Sequence, residues 1–146
     1  MGVVLNRPTP ITVDEAVPAL SELVGSTELI HVGGPVQPDA IVVLGDFEDP
    51  ERAGTLVFGS VGFLPGEIED AESLGPLRRA RVFAGYAGWG PGQLESELEE
   101  ASWIVEPAVV EDVFSADADA LWSTVLRRKG GPFTLLASMP TDPTAN

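Results

Sequence analysis

Four of the eight residues from Gly85 to Gly92 are glycine, in the run GYAGWGPG, and no other segment constrains the fold as tightly. Glycine reaches backbone conformations closed to other residues and admits a second chain segment at close range, so a run this dense marks a crowded turn. Arg81 to Ala84, before it, reads as a strand. Gln93 to Ala101, after it, has helix-forming composition with Leu94 and Leu98 on one face. The local order is therefore strand, glycine loop, helix.

The same reading places other elements along the chain. Gly2 to Leu5 is a short aliphatic run, read as a buried strand that Asn6, Arg7 and Pro8 turn. Thr12 and Glu15 have the spacing of a capping box, followed by Ala16, Leu20, Leu23 and Val24 at helical intervals and Gly25 as a stop. Proline inside a helix costs about 3 kcal/mol, so regular helix is expected to begin at Pro18, with Thr12 to Val17 a separate turn. Leu29 to Val32 and Ile41 to Leu44 read as strands, paired or neighbouring, across the Gly33-Gly34-Pro35 break. Thr55 to Phe58 and Trp103 to Val105 read as further strands, the latter closed by Pro107. Ala116 to Arg128 is an amphipathic helix using Ala120, Leu121, Trp122 and Val125, ended by Gly130 and Gly131. The fold class is α/β, a mixed α+β layered arrangement, with one domain over residues 1–139 and a frayed tail over 140–146.

Composition narrows the functional classes. At 146 residues the chain is long enough for one real core. Its longest apolar runs fall far short of the ~20 residues a membrane helix needs. The start, MGVVLNRPTP, has no basic region or cleavage site of a secretory signal, so the cytoplasm is the expected location. The absence of cysteine excludes disulfides, thiolate metal sites and cysteine nucleophiles. With 23 acidic and 8 basic side chains the net charge is −15, which disfavours direct nucleic-acid binding. Two basic triplets stand out, Arg78, Arg79 and Arg81, and Arg127, Arg128 and Lys129; helix-end and strand-edge charges in solvent are the favoured reading. From Asp39 to Glu72 acids prevail, with Arg52 the sole base, and this section is expected to be loop-rich, exposed and anionic.

The segment GYAGWGPGQLESELEEASWIVEPA (Gly85 to Ala108), with GVVLNRP (Gly2 to Pro8) and GGPV (Gly33 to Val36), resembles the AlgH/YqgE family of bacterial proteins in motif order and separation. The later helix with Trp122 also fits, so the resemblance spans nearly the whole chain. It implies a bent mixed sheet forming a partly open barrel with helices around it. The family is commonly labelled a transcriptional regulator, a genetic label without assigned catalytic residues or cofactor. Family members begin about 30 residues earlier, with two further strands. The resemblance therefore implies that this chain lacks them, and that its exposed sheet edges invite self-association or another partner chain. A longer form with an upstream start is expected to be more stable.

Candidate chemistry is sparse. Nucleophilic hydrolysis needs a base, and the one histidine, His31, lies in a strand pattern and reads as a core or edge residue with a satisfied hydrogen bond. Ser60 in FGSVGF has Phe58 where a nucleophile elbow requires glycine. A glycine loop before a helix can cradle an anion. Here Glu95 and Glu97 occupy that helix end and the loop lacks lysine and arginine, so a structural turn is favoured. Glu95 with Glu99, and Glu97 with Glu100, share helix faces but lack a histidine or third ligand. No metal or cofactor is therefore expected.

Two spots stay open. Trp89, Tyr86 and Gln93 either form a recognition surface or, in the case of Trp89, plug the helix onto the sheet. Arg7, in the Asn6-Arg7-Pro8 turn, either reaches a carboxylate such as Glu97 and pins the two motifs together, which is the favoured reading, or recognises an anionic ligand with Asn6 and Gln93. The candidate binding set is Asn6, Arg7, Pro8, Gly33, Gly34, Gly85, Tyr86, Trp89, Gln93 and Glu97. The expected function is non-enzymatic interaction or regulation through a protein partner. The alternative is a small-molecule binder or hydrolase with its site between the LNRP turn and the GYAGWGPGQ loop.

Overall fold

The computed structural model describes residues 1–66 and 75–139. The expected frayed tail, and the acids Glu67, Glu69, Asp70 and Glu72, lie outside the described residues. The chain divides into two compact units, Met1–Trp89 and Gly90–Asn146. The first holds strands β1 (Pro8–Thr12), β2 (Leu29–Val32), β3 (Val36–Phe47), β4 (Thr55–Phe58), β5 (Val61–Phe63) and β6 (Leu77–Tyr86), with short helices α1 (Val13–Ala16) and α2 (Ser21–Val24). The second holds α3 (Gln93–Glu99), α4 (Val110–Val113), α5 (Ala118–Lys129) and α6 (Phe133–Leu136).

Local chemistry sets the helical turns of the first unit. Thr12 Oγ1 accepts the Glu15 amide at 3.3 Å and donates to the Glu15 carboxylate at 3.1 Å, capping α1; such a cap contributes about 1 kcal/mol. Pro18 opens a separate 3-10 turn, Pro18–Leu20, as a first-turn residue, and Gly25 caps α2 with φ of 109°.

The sheet is mixed, with order β1-β2-β6-β3-β5-β4, and it is open, ending at β1 and β4 without closing into a barrel. β6 pairs in parallel with β2 and antiparallel with β3. Its alternation directs Ala80, Val82 and Ala84 to one face, where they meet Val13, Ile30 and Val43 beneath Val17, Leu20 and Val24. Arg81 and Phe83 fall on the opposite face. Val82 and Phe83 are fully buried, and each stabilises the fold by roughly 1.5–3 kcal/mol relative to exposure.

β2 and β3 are not adjacent, contrary to the sequence expectation: β6 lies between them. The link Gly33-Gly34-Pro35 therefore crosses the end of β6. There the backbones touch. A Cβ on Gly33 would lie 2.3 Å from the Gly85 carbonyl oxygen, one on Gly34 2.2 Å from the Tyr86 carbonyl carbon, and one on Gly85 2.4 Å from the Gly34 carbonyl oxygen. Side chains are excluded at all three positions, and Gly85 also has a left-handed φ of 74°. β3 accommodates the crossing with an irregularity between Val36 and Ile41, where Gln37 takes φ of 44°.

Other expectations need correction. Gly2 to Leu5 is not a regular strand; only Gly2 forms a bridge, to Ala87, and the strand lies later at Pro8–Thr12. Trp103 to Val105 is irregular and exposed, because the second unit offers no described strand for it to pair with. Asp39 to Glu72 is less loop-like than its charge suggested. β3, β4 and β5 occupy much of it, and Asp46 is buried.

In the second unit, Asp117 caps α5 by accepting the Ala120 amide at 3.1 Å, and Leu121 and Leu126 face inward. Asp112 accepts the Val109 amide at 2.9 Å and holds Arg128 through two bonds, at 3.0 and 2.6 Å. Among the described residues, no helix is long and apolar enough to cross a membrane.

The crossing predicts an asymmetry among glycines. Gly33→Ala, which drives a methyl into backbone, should destabilise by about 3 kcal/mol in urea denaturation. Gly59→Ala, at a left-handed turn open to space, should cost about 1 kcal/mol. Equal costs would contradict the crossing geometry.

Candidate functional site

The first-unit members of the candidate set meet at the sheet end where β2 and β6 finish and β1 and β3 begin. The Val32 amide donates to the Arg7 carbonyl at 2.8 Å, the Val4 amide to the Gly33 carbonyl at 2.8 Å, and the Gly33 amide to the Ala84 carbonyl at 2.9 Å. Gly2 and Ala87 exchange two bonds, at 2.9 and 2.8 Å. The Trp89 ring lies against Gly2, close enough that a Cβ there would meet it at 3.3 Å. So Arg7, Pro8, Gly33, Gly34, Gly85 and Tyr86 are gathered around the glycine crossing by backbone pairing and contact, Trp89 joins them through its ring on Gly2, and Asn6 lies next to Arg7 in the turn. Arg7 itself is exposed.

Gln93 and Glu97 belong to the second unit, on α3. Gly92 caps that helix with φ of 77°, and the Gln93 Oε1 accepts the Gly90 amide at 3.0 Å. The Gln93 side chain thus closes the end of the glycine loop. Glu97 is half-buried, and its Oε2 is buried without a hydrogen-bond partner.

The groups best suited to catalysis are bonded elsewhere. Ser60 stands in the β4–β5 turn, a strand-to-strand context unlike a nucleophile elbow, and its hydroxyl donates to Asp46 Oδ1 at 2.5 Å. Arg78 also reaches Asp46, at 3.3 Å, and donates to the Phe47 carbonyl at 3.0 Å. His31 is buried, not at an edge, with Nδ1 3.2 Å from the Leu29 carbonyl and its ring 5.9 Å from that of Phe83. Burial, then the Arg81 charge, lowers its pKa from 6.5, against the raising effects of the Leu29 carbonyl and Glu28. Arg81 is buried too, 3.8 Å from Glu28, and burial lowers its pKa. The first basic triplet therefore sits on a central strand, with Arg81 buried while Arg78 and Arg79 stay exposed as expected. In the second triplet, Arg128 binds Asp112, and Lys129 donates to the Val105 carbonyl at 2.7 Å.

No group of three or more metal-ligating side chains occurs among the described residues. A groove of about 410 Å³ in the first unit is lined by Leu20, Ile41, Val43, Phe63 and Leu64, and none of the candidate residues lines it.

Residues 1–134 match the DUF179, AlgH-like family model. The chain belongs to the AlgH-like family. It is 40% identical over 161 residues to a UPF0301 protein of Thermobifida fusca, and 41% identical over 153 residues to one of Streptomyces coelicolor. Each comparison spans 100% of this chain and 79% of the relative. A crystal structure of a Corynebacterium diphtheriae protein matches with a TM-score of 0.82 at 27% identity, over 94% of this chain and 74% of that one. The solution structure of AlgH from Pseudomonas aeruginosa matches with a TM-score of 0.67 at 28% identity, over 97% of this chain and 78% of that one. These AlgH-like neighbours share the mixed α/β fold.

Sequence reasoning passed over Asp46 and Asp112, the two carboxylates that organise the polar interior. Asp112 had only half a local signal, an acid three residues after the N-cap, because Val109 stands where a capping box places serine or threonine. Asp46 had none, because Ser60 and Arg78 are distant in sequence.

The lone imidazole gives a clean titration. A histidine with a depressed folded pKa contributes stability that is complete above about 6.5 and is lost as pH falls through the folded value. The His31 NMR midpoint should lie below 6.5. Urea stability should fall across that window in the wild type and not in His31→Gln. A midpoint at or above 6.5 would refute the buried, neutral assignment.

Proposed function

We propose that this AlgH-like chain is a non-enzymatic regulatory or interaction protein that acts in the cytoplasm through a protein partner. The observation that carries the reading is the commitment of its reactive side chains to internal bonds. Ser60 donates to Asp46, His31 is enclosed beside Phe83, and Gln93 accepts the Gly90 amide. The glycines that suggest a ligand cradle, Gly33, Gly34 and Gly85, are filled by one another's backbones.

Charge supports a protein partner over a nucleic acid. The net charge is −15, and Arg78, Arg81 and Arg128 are drawn to Asp46, Glu28 and Asp112. Exposed apolar runs support it further, since Leu56 with Val57, and Trp103 to Val105, remain in solvent.

Affinity capture from extract of the protein's own cells should retain one protein in stoichiometric amount, with Arg7→Ala testing whether the LNRP turn contributes. Ester, amide and phosphoester substrates should show no turnover that Ser60→Ala or His31→Ala removes. Turnover lost in either variant would replace the interaction reading with the hydrolytic one.

A further inference from the structure

The two ends of the sheet are built differently. β1, PTPIT, carries Pro8 and Pro10, which lack the N–H that an added strand would bond, a common way of blunting an edge. β4, TLVF, has no proline and no charge, and its composition suits strand pairing. Among the described residues no strand pairs with its outer side. Leu56 and Val57 are 49% and 53% exposed, at a bulge in β4 between Leu56 and Phe58. The edge is therefore apolar and exposed.

The approach to that edge is acidic. Glu48, Asp49 and Glu51 are exposed on the segment entering β4, where Arg52 lies 3.5 Å from Asp49 and Arg78 is held on Asp46 and the Phe47 carbonyl. Two copies meeting edge to edge would bring these acids together, in chains of net charge −15 each. A basic strand meets no such repulsion.

We propose that β4 is the docking edge for a basic, extended segment of a partner protein, which adds to the sheet beside Thr55–Phe58. Backbone bonding to β4 supplies affinity. Apolar side chains against Leu56 and Val57, and lysine or arginine facing Glu48, Asp49 and Glu51, supply specificity. This deepens the interaction reading above and rests on it for the partner's being a protein.

The test uses the whole chain and a capped synthetic peptide of alternating lysine and valine, followed by fluorescence anisotropy and backbone amide shifts. Shift changes should centre on residues 55–58 and leave 8–12 unmoved. The matching glutamate–valine peptide should bind at least tenfold more weakly, and Val57→Lys should weaken the lysine peptide at least tenfold. Val57→Pro serves as a second block, with circular dichroism to check folding. The shift map decides the matter should either variant misfold. Shifts centred on β1, equal binding of the acidic peptide, binding unchanged in a folded Val57 variant, or no binding up to about 1 mM would each overturn the proposal. So would self-association in sedimentation that Val57→Lys abolishes, because the edge would then hold a second copy. A cellular partner captured equally by wild type and Val57→Lys would refute the docking edge and leave the interaction reading standing.

Discussion

The fold of the first unit depends on a backbone crossing at the end of β6. β2 and β3 precede β6 in the chain yet flank it in space, so their short link must pass over the tip of a strand delivered more than thirty residues later. Only glycine permits this passage. Gly33, Gly34 and Gly85 interlock with no room for a Cβ on any of them, and the Gly33 amide is bonded to Ala84 within the crossing. The LNRP turn and the Trp89 segment are bonded onto the same junction through Val4, Val32, Gly2 and Ala87. Motifs that look like a ligand loop in sequence are thus explained by a topological demand.

Charge follows a second division of labour. The chain has few bases, and several of them hold internal carboxylates or carbonyls in place. Arg78 secures Asp46 beside Ser60, and Arg128 secures Asp112 at the start of α4. Burial alone would raise the Asp112 pKa, but the Arg128 hydrogen bonds, the Val109 amide and the Arg128 charge together outweigh it and hold the carboxyl below its ordinary value. That pairing stabilises the fold above the unfolded carboxylate range and is lost as pH falls through the depressed folded pKa. With these bases engaged, most of the acidic side chains among the described residues face solvent.

Local devices were legible in the sequence. The Thr12–Glu15 cap, the restart at Pro18, the Gly25 stop and the glycine end of α5 depend on residues a few positions apart, and each stands where spacing put it. Long-range order was not legible. Nothing in Leu29 to Val32 or Ile41 to Leu44 announces that β6 separates them, since both runs suit any buried strand. Trp103 to Val105 misled for the related reason that strand propensity reports fit to a sheet, and no described strand lies in its unit. Arg81 misled because a charge on a central strand is exceptional; burial beside Glu28 cannot be read from the basic triplet that contains it.

Native-state hydrogen exchange at Gly33 tests the crossing most directly. Its amide is bonded to Ala84 inside the junction, so it cannot open while β6 stays in place. The predicted result is a protection free energy for Gly33 equal to that of the Ala80 to Ala84 amides, both set by global unfolding. Exchange of Gly33 at loop rates while β6 remains protected would contradict the account.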